Sequence, residues 1–407
     1  MDLSRRLFLS ASGAALLAPY PRRTEAQDAV IRIGVLNDQS GPYRDDTGVG
    51  SRICTEVAAA EFSASKAIKV EVLAADHQNK PDVGAAIARQ WFDRDGVDMI
   101  IDVPTSSVAL AVNSICREKN KVFINSGAAT TALTGKQCTP NTVHFTYDTY
   151  MLARSTGGNT VKAGGDSWYF VTADYVFGHE LESMTARFVT EAKGKVLGRS
   201  VYPFPGTTDF SSFLLAAQSS GAKVLGLANA GNDTINCIKQ AHEFGLTPKM
   251  RVAALLMGVI DVHGVGLEQA QGLLLTESFY WNLNDRTRRF TAKVRQALGG
   301  RVPNMIQAGC YAGTLHYLKA VADIGLSTAK ADGAAVVARM KAMPTDDDVF
   351  GKGRIRADGQ LLVPVYLFEV KKPQESSGAW DYYKLIAETP ADEAWQPVDK
   401  ACPLVRT

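Results

Sequence analysis

The stretch Val97–Thr134, VDMIIDVPTSSVALAVNSICREKNKVFINSGAATTALT, decides the fold of this chain. An apolar run typical of a buried strand ends at Val103, and Pro104 separates it from an amphipathic helix that begins near Ser106. A second strand, Lys121–Asn125, follows that helix. Strands that alternate with helices predict a parallel sheet, in which ligands bind beyond the carboxyl ends of the strands. Both strand ends carry small hydroxyl residues and no catalytic base, which predicts a site that holds a small molecule without transforming it.

The same alternation runs along the chain and then restarts. One strand–helix series extends to Tyr147, and a second series of similar length extends to Thr276. A chain of 407 residues also exceeds what one hydrophobic core usually organises. We therefore predict an α/β protein with two lobes, each a doubly wound parallel sheet, joined by three crossings near Tyr147, Thr276 and Leu362. Lobe 1 then comprises residues 27–146 and 277–362, and lobe 2 comprises residues 147–276 and 363–407.

The first 26 residues have the features of a cleaved export signal. SRRLF (residues 4–8) is close to the twin-arginine pattern, an Ala-rich stretch follows, and small residues precede a cut after Ala26. Ser10 stands where that pattern usually has lysine, so export by the general route is the alternative. We expect a periplasmic protein with no membrane span. The net charge is +2, and the signal carries four arginines and two acids, so the mature chain is near neutral and has no electrostatic surface for nucleic acid.

The sequence lacks the signatures of common enzymes and metal sites. It contains no G-x-S-x-G, H-E-x-x-H, C-x-x-C, G-x-G-x-x-G or P-loop, and no two of its six histidines have metal-ligand spacing. We therefore expect no catalysis, no metal and no cofactor, with an exported α/β enzyme as an alternative. Of the six cysteines, Cys138 and Cys402 lie in Pro-flanked loops. If the chain contains one disulfide, we expect it between these two.

Small polar and aromatic residues at the strand ends are the candidate ligand contacts. Ser106 and Ser107 begin a helix, where one of them is expected to cap the helix and where free amides favour an anion. Phe177 is also consistent with a core position. The full set of candidate contacts is Tyr43, Ser106, Ser107, Gly127, Ala128, Thr130, Tyr175, Phe177 and Asn229.

Several segments, taken in order, resemble one protein family. They are IGVLNDQSGPY (33–43), TSS (105–107), INSGAATTALTG (124–135), TADYVFGHE (172–180) and GKGRIRADGQ (351–360). This order resembles the branched-chain amino-acid type of periplasmic solute-binding protein, the leucine/isoleucine/valine-binding receptors of ABC importers. The resemblance implies the type I periplasmic binding protein fold, whose lobes close on a small carboxylate. It also implies an ABC permease as partner, no cofactor and no membrane insertion, and we expect a monomer.

The resemblance assigns roles to most of the candidate contacts. A hydroxyl and amides at the first lobe's helix start, at Ser106 and Ser107, are expected to bind the carboxylate. The next loop is expected to add contacts at Gly127, Ala128 and Thr130. The aromatic residue of lobe 2 that precedes a glycine in this family matches Phe177, with Tyr175 beside it.

One stretch departs from the amino-acid binders of this family. Those proteins hold the ligand's ammonium with an acid of lobe 2, but the matching stretch Ala254–Val259 contains no acid and Asp261 lies further along. An unpaired buried ammonium is costly. An aromatic or aliphatic acid without an amine is therefore a rival to leucine as ligand. A sensory or regulatory subunit of the same fold is the alternative to transport.

Overall fold

The computed structural model describes residues 30–66, 68–247 and 249–405, and the predicted export signal lies outside these ranges. Its strands are β1 (Val30–Asn37), β2 (Lys69–Asp76), β3 (Met99–Asp102), β4 (Val122–Asn125), β5 (Thr142–His144), β6 (Ser167–Ala173), β7 (Lys195–Tyr202), β8 (Val224–Ala228), β9 (Arg251–Ala254), β10 (Leu274–Glu277), β11 (Thr345–Asp347), β12 (Gly351–Ile355), β13 (Leu361–Leu362), β14 (Val365–Val370) and β15 (Tyr383–Thr389).

The α-helices alternate with these strands. They are α1 (Gly48–Ser65), α2 (Pro81–Gln90), α3 (Ser106–Glu118), α4 (Thr149–Lys162), α5 (Val176–Glu191), α6 (Ser211–Ser219), α7 (Asn232–Glu243), α8 (Val259–Val265), α9 (Leu267–Ala270), α10 (Asp285–Arg295), α11 (Met305–Ile324), α12 (Leu326–Ala331), α13 (Gly333–Ala342) and α14 (Ala391–Ala394).

The first five strands form a parallel sheet with the order β2-β1-β3-β4-β5. In its register Ile33 lies beside Met99, and Met99 lies beside Val122. All residues of β3 and β4 are buried, as expected for central strands with helices on both faces. The apolar runs of the sequence therefore become the middle of the first lobe.

The second lobe repeats this plan with the parallel sheet β7-β6-β8-β9. The antiparallel sheet β10-β14-β15 extends its core, because Leu275 and Phe368 pack in the same apolar cluster as Val171 and Leu225. A small antiparallel sheet, β11-β12-β13, completes the strands of the described residues. The prediction of two α/β lobes with parallel sheets is confirmed.

The chain passes between the lobes by three connections. It enters the second lobe between β5 and α4 and leaves it after β10. Helix α11 then packs against α1 and β3, and α13 packs against β4, so this block returns to the first lobe. The chain crosses again between β13 and β14. The residue ranges assigned to each lobe from the sequence stay a prediction.

A disulfide joins Cys138 and Cys402, the two loop cysteines that the sequence singles out, with their Cα atoms 5.5 Å apart. It ties the C-terminal segment to the loop before β5. The other four cysteines are buried free thiols. Within the described ranges, no helix has the length and the apolar composition that crossing a bilayer would require.

Candidate ligand-binding site

A cavity with about 530 Å³ of empty space, partly open to solvent, lies between the two lobes. The first lobe contributes the loops after β1, β3 and β4 and the start of α11. The second lobe contributes the start of α5 and the loops after β8 and β9. With the exception of α11, these are carboxyl ends of parallel strands, the expected position for a ligand. The described lining residues include no lysine or arginine, so an anion there depends on hydroxyls and backbone N–H groups.

The turn between β3 and α3 has an unusual backbone. Asp102, Val103 and Thr105 adopt φ values of 83°, 56° and 76°, a region that residues other than glycine rarely occupy. Such strain persists only where the surrounding structure holds it, and it is frequent at binding sites. Here the Thr105 hydroxyl donates to the Asn79 side chain instead of capping α3. The first N–H groups of α3 consequently remain available at the cavity.

Ser106 is the first residue of α3 and lines the cavity. The residue is 1% exposed, and its Oγ has no hydrogen-bond partner in the part of the chain that the structure describes. The sequence predicts a cap at Ser106 or Ser107, but this prediction is wrong because Thr105 occupies the N-cap position. A buried hydroxyl without a partner is costly. It therefore indicates that a polar ligand group completes this site.

The segment Gly127–Thr131, which we call the 127–131 loop, has its carbonyl oxygens engaged by protein groups. The Tyr147 hydroxyl donates to the Gly127 carbonyl at 2.6 Å, and Thr149 N donates to the Ala129 carbonyl at 2.9 Å. The side chains of Asn125 and His144 contact the Ala128 carbonyl.

The N–H groups of this loop are less occupied. Within the described chain no acceptor pairs with the N–H of Ala129 or of Thr130. The loop thus has N–H donors available while its carbonyl oxygens are already bonded, an arrangement that favours an anion.

Gly127 is needed for the close approach of this loop to the β3–α3 turn. A Cβ atom there would lie 2.6 Å from Asp102 Oδ1 and 2.7 Å from Pro104 N. Real Cβ atoms essentially never make such contacts. The glycine therefore lets the two anion-facing segments lie side by side.

Aromatic residues from both lobes form the middle of the cavity. The hydroxyls of Tyr43 and Tyr175 are 2.5 Å apart across the cleft, and Phe177 lines the same wall. Tyr175 stacks on Phe204 with ring centroids 4.3 Å apart, and Tyr43 stacks on Phe204 at 5.6 Å. Phe204, on the loop after β7, supports the aromatic wall and was not among the predicted contacts. Its only sequence signal is its position just after a strand.

Two acids form another part of the wall and correct the sequence-based prediction. Asp261 lines the cavity, although it lies beyond the stretch that matches the family's acid, and Asp46 of the first lobe lines it too. The first turn of α8 directs the Asp261 carboxylate back toward Gly258, whose N–H donates to it at 2.8 Å. The second lobe therefore does supply an acid. A missing acid in the second lobe therefore does not disfavour an amine in the ligand.

The two carboxyl groups contact each other across the cleft and share a hydrogen bond. Burial, followed by the negative charge of Asp261, raises the pKa of Asp46 well above its usual value. Burial also raises the pKa of Asp261, to about 6. Asn304 Nδ2 donates to Asp46 Oδ1 at 3.3 Å. Since two carboxylates cannot donate to each other, the contact requires one proton on the pair.

Six of the nine predicted contacts line the cavity and three do not. The lining contacts are Tyr43, Ser106, Gly127, Ala128, Tyr175 and Phe177. Ser107 lies on α3 outside the lining. The Thr130 hydroxyl instead accepts from Ala132 N, and the Asn229 side chain accepts from the Thr234 hydroxyl at 2.7 Å inside the second lobe. Whether any of these residues binds a ligand stays a prediction. Among the described residues no group of three His, Cys, Asp or Glu side chains could hold a metal ion.

Comparisons with known proteins agree with this architecture. A family model described as "Periplasmic binding protein" matches residues 30–378. A periplasmic binding protein from Burkholderia mallei is 45% identical, with a TM-score of 0.87 over 93% of this chain and 100% of that chain. A branched chain amino acid ABC transporter periplasmic ligand-binding protein from Burkholderia xenovorans LB400 is 36% identical, with a TM-score of 0.77 over 90% of this chain and 97% of that chain.

A more distant structure shares the fold alone. It is an ABC transporter solute binding protein from R. palustris in complex with benzoate, 20% identical, with a TM-score of 0.80 over 91% of this chain and 98% of that chain. The search of curated proteins found no match. The family match over most of the chain, the two-lobe fold and the Burkholderia relatives together establish that this chain belongs to the periplasmic binding proteins of ABC transporters, of the branched-chain amino-acid type.

Proposed function

We propose that this chain is the periplasmic substrate-binding subunit of an ABC importer, which closes on a small organic carboxylate and delivers it to the permease. One observation carries the proposal. The Ser106 hydroxyl is buried and has no partner among the described residues, and it faces the cavity beside the free N–H groups of α3 and of the 127–131 loop. Helix N-termini and exposed N–H groups favour anions. A carboxylate is the anion of the ligands named for the relatives.

The rest of the cavity supports a ligand with an apolar body and a hydrogen-bond donor. Tyr175 and Phe177 offer ring faces, and Leu256 and Met305 add aliphatic surface. The acid pair Asp46–Asp261 accepts an ammonium or a hydroxyl but repels a second carboxylate. Both a branched-chain amino acid and a hydroxylated aromatic acid meet these requirements. The ligand is held and released unchanged, without a cofactor.

A binding screen with matched variants tests the proposal. We expect leucine or 4-hydroxybenzoate to raise the melting temperature, and leucinamide and 4-hydroxybenzamide, which lack the carboxylate, to leave it unchanged. Ser106→Ala should weaken binding of the active compound by roughly 1–3 kcal/mol, because a buried hydrogen bond to a charged group is lost. Isothermal titration calorimetry measures this change.

Ser107→Ala is the matched control, since Ser107 is the next residue of the same helix and lies outside the cavity lining. It should keep the affinity of the unmodified protein. The proposal fails if amides and acids stabilise the protein equally, or if Ser107→Ala weakens binding as much as Ser106→Ala does.

A further inference from the structure

Glu180 joins the two lobes outside the cavity. It lies on α5 of the second lobe, and its Oε1 accepts hydrogen bonds from both the backbone N–H and the hydroxyl of Thr131, at the end of the 127–131 loop. The distance from Thr131 N to Oε1 is 2.8 Å. The same oxygen accepts from the hydroxyl of Thr149, also at 2.8 Å, where the first crossing meets α4. Three donors therefore converge on one partly buried carboxylate oxygen, and bonds to an ionised acceptor are the stronger kind.

The position of Glu180 on α5 connects this contact to the cavity. Residues three apart on a helix share a face, and Phe177 lies three positions before Glu180. The face of α5 that brings Phe177 into the cavity therefore brings Glu180 to the first lobe. Glu180 itself does not line the cavity, whereas Gly127 and Ala128 at the start of the loop do. The contact thus acts on the loop without touching a ligand.

We propose that Glu180 is a positioning residue that fixes the 127–131 loop in its anion-binding geometry when the lobes close. Opening the cleft separates Thr131 from Glu180, because they belong to different lobes. The bond from Thr149 lies within the second lobe and remains in the open form. It holds the Glu180 carboxylate in position, so that Thr131 can bond to it again when the lobes close. The inference rests on the proposed function, since it assumes that the lobes open and close around a ligand.

Amide hydrogen exchange in the ligand-free protein at about pH 5, where the proton shared by Asp46 and Asp261 favours closed lobes, tests the inference directly. In the unmodified protein the Thr131 N–H should be protected. Glu180→Ala should accelerate its exchange about ten-fold or more, because its acceptor is lost. Glu180→Gln should retain most of the protection, because the amide oxygen accepts the same bonds. Small-angle scattering should show a larger radius of gyration for Glu180→Ala than for Glu180→Gln.

Two controls separate this effect from general destabilisation. Glu191→Ala removes the same charge from the far end of α5, where Glu191 forms an ion pair with Arg187 at 3.6 Å, and should leave the Thr131 N–H protected. The N–H of Val103, which donates to Leu36 inside the first lobe, should exchange equally in all variants. Equal exchange of the Thr131 N–H in the unmodified protein and Glu180→Ala overturns the inference. Because no ligand is present, failure to bind a carboxylate does not affect this result.

Discussion

Gly231, at the start of α7, lets the two lobes meet at the rim of the cleft. Its φ of 58° and ψ of −137° lie in a region that residues with a Cβ atom rarely adopt. The next residue, Asn232, donates its N–H to the carbonyl of Pro42 in the first lobe at 3.0 Å. A Cβ atom on Gly231 would lie 2.5 Å from that same carbonyl oxygen. A glycine at this position thus allows both the local backbone conformation and the close contact with Pro42 of the other lobe.

Gly231→Ala should therefore impair closure as well as stability. Its backbone strain should lower the free energy of unfolding by about 1 kcal/mol or more, and the clash with Pro42 should weaken ligand binding and enlarge the radius of gyration. Gly245→Ala is the matched control, because Gly245 has a φ of 65° in the same lobe and no atom of the described residues lies within 4 Å of its Cβ position. Calorimetry and scattering should show a loss of stability in both variants but a loss of affinity in Gly231→Ala alone. Equal affinities would contradict the role of Gly231 in closure.

The disulfide joins two segments that are far apart in sequence, and its contribution to the free energy of unfolding is simple to measure. It links the loop before β5 to the segment after α14, which also contacts the crossing between β13 and β14, since Trp395 Nε1 donates to the Val363 carbonyl at 2.8 Å. A cross-link restricts the unfolded chain more than the folded chain. Cys402→Ser should lower the free energy of unfolding by about 2–4 kcal/mol.

Denaturant unfolding with and without reductant checks this expectation. Reductant should bring the unmodified protein down to the stability of Cys402→Ser and leave the variant unchanged. Peptide mapping without reduction should recover Cys138 joined to Cys402. Recovery of both as free thiols would show that the bridge does not form.

The fold could be predicted from sequence because its elements repeat a simple physical pattern. Fully buried strands such as β3 and β4 read as apolar runs, and each ends at a turn signal before a helix. Short elements were not predictable. The helix α12 has 6 residues and the strand β11 has 3, too few for a periodic pattern to be distinguished from chance.

The binding site was predictable only in part. Strand ends predicted Ser106, Gly127 and Phe177, which line the cavity, since parallel sheets place ligands there. Asp261 was misjudged because sequence distance does not reveal that the first turn of α8 points its carboxylate back toward Gly258. Residues such as Asp46, whose surroundings depend on the approach of two lobes, carry no local sequence signal.

The contact between Asp46 and Asp261 links the two lobes, so we expect closure of the protein to depend on pH. In the closed form burial and the neighbouring charge raise the pKa of Asp46 well above 3.8, and burial raises that of Asp261 to about 6. When the lobes separate, both carboxyl groups regain water and their pKa values fall toward the ordinary value. The closed form therefore binds more protons than the open form. Closure is favoured at low pH, and this contribution is lost as pH rises through about 6 and above.

Other groups near the pair must be considered when this dependence is assigned. Asp45 precedes Asp46 and forms an ion pair with Arg44 at 3.6 Å, and the charge of Asp45 acts on both members of the pair. Asp148 at the first crossing has a pKa of about 7, and Asp233 near the cleft has a pKa of about 6, both raised by burial. Because these values overlap, the midpoint of a titration cannot identify the group, but a variant can.

Asp46→Asn replaces the shared proton with an amide of the same shape. Its NH₂ group can donate to Asp261, and its oxygen can still accept from Asn304, so the contact between lobes should persist at every pH. We expect the radius of gyration of the ligand-free unmodified protein to increase between pH 5 and pH 8, roughly the range spanned by the raised carboxyl pKa values. The radius of Asp46→Asn should change much less, whereas Asp45→Asn, which leaves the pair intact, should keep the full pH response. Small-angle scattering of the three proteins across this range tests whether the Asp46–Asp261 pair links closure to pH. An unchanged pH response in Asp46→Asn would show that another group is responsible.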